Sequence, residues 1–469
     1  RDRSVSRGLG DVYKRQSPTG NINLDAINAA GAYAQGFTGA GVRIGILDSG
    51  FDTTHIAFEG KDIIKLYSDQ YLEKFGTGVN ATQQSHGSHV AGIASGNSSV
   101  NYGVAKDASL LLLYSTIQGP TMIYEVADLY KKAIETYDDV KIYSNSWGWV
   151  RGMFSYGYIP DETDAFKEVF NSAVAHDKLM VFAAGNQGGL APADPILPIM
   201  QDPSKAGHFI NVINIESDHL FEEGHFIHGN SGVIEASNQG LFASLWTIAA
   251  PGTNIVSAEA GSGNGSIEMT GTSMAAPHVA GTLALVQQAF PWMTASQLAD
   301  TVLSTAQKPQ EGQYDVIAIH PDSAQTDPSH KNPDYHLQFG GRLNFSVASP
   351  GYSVESGKYE TNVYKESAAI VFWGSAGDAK KADIDALKEE AATRAAGDWL
   401  EQALEEADWD MDPEAYRQAV YDAYEEWKTY FKEHCIIVEY AIGAGLLDAA
   451  SAVGGIAELN INRMARWDE

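Results

Sequence analysis

Three short segments of the chain carry residue types suited to nucleophilic catalysis. Asp48-Ser49-Gly50 follows an apolar run, His86-Gly87-Ser88-His89-Val90-Ala91-Gly92 sets an imidazole among small residues, and Gly271-Thr272-Ser273-Met274-Ala275-Ala276-Pro277-His278-Val279-Ala280-Gly281 does the same for a serine. A serine hydroxyl is a poor nucleophile at neutral pH until a base takes its proton, and imidazole is the side chain suited to that. The imidazole in turn needs a carboxylate to hold its tautomer and stabilise its charged form. The chemistry on offer is therefore Ser273 as nucleophile, His86 as base and Asp48 as its orienting acid. Asp-Ser-Gly alone is also a common strand-to-turn signal. The run around Ser273 is too long and too specified to be an accident of average residue usage. A fourth segment, Val181-Phe182-Ala183-Ala184-Gly185-Asn186, ends on an amide. Asn186 could donate a hydrogen bond to a developing oxyanion, although on spacing alone it reads more readily as a turn residue.

These residues need a scaffold, and residues 38–307 alternate short apolar runs with amphipathic stretches. Val42–Leu47, Leu110–Leu113, Val140–Ser144 and Leu179–Ala183 read as buried strands. Met122–Tyr137 and Phe166–Ala175 read as helices between them, and Val90–Ala94 as the start of another. Strands separated by helices of this length make βαβ units and a parallel sheet, an α/β fold. Ligands in such sheets sit beyond the carboxyl ends of the strands, where Asp48 and Asn186 fall. Ser273 is expected at the start of a helix over Met274–Phe290, with Pro277 tolerated in the first turn. Free N–H groups and the positive helix end there favour an oxyanion beside the serine.

The 469 residues are 44% hydrophobic and 19% charged, which excludes wholesale disorder and suggests more than one domain. A formal charge of −29 argues against nucleic-acid or membrane-surface partners. No apolar run is long enough for a membrane span. The single cysteine, Cys435, allows no internal disulfide and reads as a hydrophobe. Residues 1–16 read as a non-native leader, and residues 17–307 as a catalytic domain. Residues 308–435 form an insertion in which 310–335 read as a loop, followed by two acidic amphipathic helices over 379–434. Residues 436–469 then close the catalytic domain. No redox or nucleotide cofactor and no metal is implied. The acidic cluster from Glu401 to Asp412 leaves calcium possible without a calcium-loop motif. His89 and His278 read as helix-packing residues.

The order Asp, His, Ser with these flanks resembles the subtilisin-like serine proteases, the subtilases (peptidase S8). Thr38–Val42, Asn145–Gly148, Ser237–Gly240, Ala250–Thr253 and Gly443–Val453 resemble further segments of that family. The resemblance implies a parallel sheet flanked by helices and a serine endopeptidase working through an acyl-enzyme. It implies Asp48, His86 and Ser273 as the triad and Asn186 as oxyanion donor. One wall of the primary specificity pocket would be Ser146, Trp147 and Gly148, the other Ala184 and Gly185. Trp246, Ala250-Pro251-Gly252 and Pro291-Trp292 are most similar to the autotransporter-type branch, which implies a secreted or cell-surface protein, monomeric, acting on polypeptides. Ser88 stands where threonine is commoner, and Ala236 where phenylalanine often precedes the Ser-Asn-Gln-Gly turn. Phe339–Asn344 faintly resembles the closing motif at Gly443–Val453, which leaves two candidate ends for the catalytic domain. The rival reading is a surface binding or adhesin module that kept the scaffold and lost turnover.

Overall fold

A computed structural model of the chain describes residues 21–77, 81–99, 101–117, 122–148, 160–186, 207–215, 217, 237, 246–307, 315–321, 342–353, 358–375, 389, 393, 425, 428, 429, 432, 435–438 and 444–455. The leader, residue 236, the cluster at 401–412 and most of the two acidic helices lie outside these residues.

Seven strands form one sheet: β1 (Arg43–Asp48), β2 (Ile63–Tyr67), β3 (Ser109–Tyr114), β4 (Val140–Asn145), β5 (Leu179–Ala183), β6 (Phe209–Ile215) and β7 (Thr247–Pro251). Their spatial order is β2-β3-β1-β4-β5-β6-β7, and every pairing is parallel. Parallel strands buried on both faces read as unbroken apolar runs, which is why Leu110–Leu113 and Leu179–Ala183 show no polar alternation. The two-residue period still sorts their side chains. Ile44, Ile46, Leu110, Leu112, Val181 and Val212 enter one core. Leu47, Leu111, Leu113, Met180, Phe182 and Phe209 enter the other.

The first core is covered by α4 (Ala81–Ser95), α7 (Thr272–Ala289) and α8 (Ala295–Ser304); the second by α5 (Met122–Thr136) and α6 (Pro160–Ala175). Shorter helices α1 (Ile22–Ala26), α2 (Ala29–Ala34) and α3 (Asp69–Phe75) complete the N-terminal part. α7 is apolar nearly all round, with fourteen of its residues buried, because α4, α8 and the sheet enclose it. α4 begins at Ala81, well before the Val90 start expected from the sequence, so His86 sits inside a helix.

The insertion departs from its reading as a loop over residues 315–321, while the described residues of the two expected acidic helices are helical. Its described strands form an antiparallel sheet ordered β11-β12-β10-β13, made of β10 (Asp315–Pro321), β11 (Arg342–Ser353), β12 (Lys358–Ser375) and β13 (Cys435–Val438). Residues 315–321 are thus a strand, and Cys435–Val438 pairs with it rather than with the seven-stranded sheet. Glu389 does sit in a helix and accepts ion pairs from Lys428 at 2.8 Å and Lys432 at 2.6 Å, side chains from the second expected helix. Of the two candidate closing motifs, Arg342–Asn344 lies in β11, paired with β12. The other is seated on the large sheet: Leu446 bridges both Ala249 and Gln307, and Ala449 at the start of α9 (Ala449–Ala452) donates to the Ile27 carbonyl.

Candidate active site

Asp48 is the last residue of β1, opposite Tyr114 of β3, while Ser146 and Ala184 follow directly on β4 and β5. All lie at the carboxyl edge of the sheet, at the point where the chain crosses from one side of β1 to the other. The Asp48 carboxylate is buried, with 3% of its side chain exposed, and its two oxygens are divided. Oδ1 accepts the Ser49 N–H at 2.7 Å, and Oδ2 lies 2.8 Å from His86 Nδ1. A carboxylate only accepts, so Nδ1 carries the proton and Nε2 is left as the basic nitrogen. Burial disfavours the imidazolium, but the charge of Asp48 and its hydrogen bond outweigh this, and the His86 pKa is raised above 6.5. The ring remains 38% exposed. The serine that replaces threonine at 88 keeps its hydroxyl at work: Oγ accepts the Asp52 N–H at 2.7 Å.

Gly87 makes the Asp48–His86 approach possible. A Cβ there would stand 2.2 Å from the Gly50 carbonyl oxygen and 2.9 Å from Asp48 Cβ.

Ser273 is the second residue of α7, which begins two residues before the expected Met274, and is partly exposed. Its N–H lies in the first turn, where backbone donors have no intrahelical acceptor. Asn186 reaches the same helix start from the end of β5. Its Oδ1 accepts both the Thr272 N–H at 2.9 Å and the Thr272 hydroxyl at 3.0 Å. Two donors on the oxygen fix the amide's orientation and leave Nδ2 as the outward donor. Gly271, at φ 152°, leaves room for it: a Cβ would sit 3.1 Å from Nδ2.

Pro277 is the sixth residue of α7, in the second turn rather than the first. The donor it lacks is the one that would have met the carbonyl of Ser273, four residues earlier. Ser146 replaces it, donating its Oγ to that carbonyl at 2.7 Å, while Ser273 Oγ donates to the Ser146 carbonyl at 3.1 Å. Neither this pair nor the Thr272 clamp follows from the sequence motifs. A proline four residues after the serine was the visible signal for the first.

Of the expected pocket walls, Ser146 and Ala184 are buried, and Gly148 and Gly185 are partly exposed. The Trp147 ring turns into the second core, edge-on to Phe182 with centroids 6.1 Å apart, so it offers a substrate only its backbone. His89 and His278 do not join the site. His89 Nε2 lies 2.9 Å from the Ile255 carbonyl of β8 (Ile255–Ala258) and 3.0 Å from that of Ile267 in β9 (Ser266–Met269). His278 Nδ1 lies 2.9 Å from the Met274 carbonyl. Burial, opposed by these carbonyls, pushes both pKa values down to about 4, so both are neutral packing residues, as the sequence suggests. Among the described residues no group of three His, Cys, Asp or Glu side chains is placed to hold a metal, and no helix is long and apolar enough to cross a membrane.

Residues 39–340 match the model of the subtilase family, peptidase S8. The chain belongs to the subtilase family. The match stops short of the segment around Leu446 that the structure seats against the large sheet. An extracellular serine protease of Serratia marcescens is 25% identical over 64% of this chain, which spans 32%, about a third, of that relative. Subtilisin DY of Bacillus licheniformis is 28% identical over 60% of this chain and 90% of its own length. Among solved structures, the prenylagaramide maturation protease PagA is similar at 19% identity and a TM-score of 0.46, covering 60% of this chain and 89% of its own.

Proposed function

We propose that this subtilase is a secreted serine endopeptidase in which Asp48, His86 and Ser273 form the triad and Asn186 completes the oxyanion hole. The observation that carries the reading is the 2.8 Å contact of His86 Nδ1 with Asp48 Oδ2, which leaves Nε2 as the basic nitrogen. In acylation, Ser273 Oγ attacks the peptide carbonyl carbon as its proton passes to His86 Nε2. The carbonyl electron pair moves onto oxygen, where the Ser273 N–H and Asn186 Nδ2 receive the charge. The C–N bond then breaks, and His86 gives its proton to the leaving nitrogen. Water reverses the sequence: His86 takes its proton as its oxygen bonds to the acyl carbon, the acyl–Oγ bond then breaks to free the acid product, and Ser273 regains its hydrogen from His86.

The backbone of Ser146–Gly148 and Ala184–Gly185 flanks the substrate's primary side chain. Secretion is supported by the extracellular Serratia relative. The test is hydrolysis of a fluorogenic peptide by wild type and Ser273→Ala. Turnover should fall by about a millionfold, the scale on which a triad acting as a unit fails. A variant within about tenfold of wild type would remove Ser273 from the reaction.

A further inference from the structure

The reciprocal contact between Ser146 and Ser273 joins two features with no obvious connection in sequence. Pro277 deprives the Ser273 carbonyl of its helical donor, and Ser146 Oγ occupies the vacated position at 2.7 Å. The Ser146 carbonyl holds the Ser273 hydroxyl at 3.1 Å. Among the described residues this is the hydroxyl's one hydrogen bond, so its proton rests on Ser146 and not on His86. Ser146 itself is 3% exposed, so its hydroxyl is closed to a substrate.

We propose that Ser146 is a positioning residue for the nucleophile. Its hydroxyl pins the peptide unit of Ser273 at the point where Pro277 has loosened the helix, and its carbonyl parks the Ser273 proton until substrate arrives. Turning Ser273 about χ1 then delivers the hydroxyl to His86 Nε2 from a fixed Cα. The proline has its own use in this arrangement: by removing one N–H it makes the backbone of Ser273 answer to the β4 edge that flanks the substrate, rather than to its own helix.

The proposal rests on Ser273 being the nucleophile, and its test separates the two. Ser146→Ala should lower kcat on a fluorogenic peptide by about threefold to tenfold, the scale of one net hydrogen bond, with KM unchanged. Pro277→Ala returns an N–H to the Ser273 carbonyl, so in that background the further change Ser146→Ala should cost less than about twofold. Equal losses in both backgrounds, or no loss from Ser146→Ala, overturn the proposal. A loss confined to KM overturns it too, since that would place Ser146 in substrate binding. If Ser146→Ala does not fold, Ser146→Cys, similar in size with a weaker donor, takes its place, and the same rescue by Pro277→Ala is expected. Each variant is titrated with a fluorophosphonate. Unlabelled Ser273 in the wild type would strike the nucleophile assignment itself, whereas labelled Ser273 without 146–277 coupling strikes the positioning role alone.

Discussion

His86 Nδ1 lies 2.8 Å from Asp48 Oδ2 across 38 residues of chain, and the glycine after the histidine sets that distance. Any side chain at 87 must push against the Gly50 carbonyl, a backbone atom that cannot swing aside. Gly87→Ala should therefore separate α4 from the end of β1. Turnover should fall by at least about a hundredfold, the scale of lost base catalysis, in a chain that still folds. Circular dichroism and kcat, measured together, check this. Full activity would mean that the Asp48–His86 contact does not govern turnover.

The direction of the His86 shift fixes a pH profile. Catalysis needs His86 neutral, so kcat/KM should rise with pH through a midpoint above the ordinary imidazole value of about 6.5 and level off on the alkaline side. The same sign governs stability. A raised folded-state value stabilises the fold below about pH 6.5, and that contribution is lost as pH rises through the folded value. Asp48→Asn should move the activity midpoint down. A wild-type midpoint below 6 would contradict the assignment of His86 as the base.

At the helix start, Asn186→Ala should lower kcat by about a hundred- to a thousandfold with KM little changed, because its amide is used only as charge develops. Thr272→Val keeps the N–H donor to Asn186 Oδ1 and removes the hydroxyl, so its loss should be smaller, about tenfold. Equal losses from the two variants would show that Thr272 does more than hold the amide.

Much of this was legible because the chemistry is local in sequence. Each triad candidate carries its own small-residue flank, and the buried strands from Val42 to Ala183 appear as short apolar runs of the right length. What the sequence does not show depends on geometry between elements. The family resemblance implies Ser146 as a pocket wall, but its hydrogen bond to Ser273 joins the end of β4 to the start of α7, elements far apart in sequence. In the insertion, Leu343, Phe345 and Val347 alternate as a strand should, yet Pro350 and Gly351 interrupt the pattern. Proline is admissible there because β11 is an edge strand, a fact of topology.

The insertion should be dispensable for peptide cleavage. Gln307 and Leu446 exchange backbone hydrogen bonds of 2.7 and 3.0 Å, so the chain leaves and returns to the large sheet at one place. Replacing the insertion together with β13, which pairs with it, residues 308–442 in all, by a short Gly/Ser linker should preserve hydrolysis of a small peptide. Loss of that activity in a folded chain would show that the insertion contributes to the active site.

The most direct test of the triad is covalent. A fluorophosphonate reacts with a serine only when a neighbouring base removes its proton, so it reports the Asp48–His86–Ser273 relay without requiring the natural substrate. Digestion and mass spectrometry after labelling should locate a single adduct on Ser273, lost in Ser273→Ala and strongly slowed in His86→Ala. An adduct elsewhere, or none on the folded wild-type chain, would contradict the account.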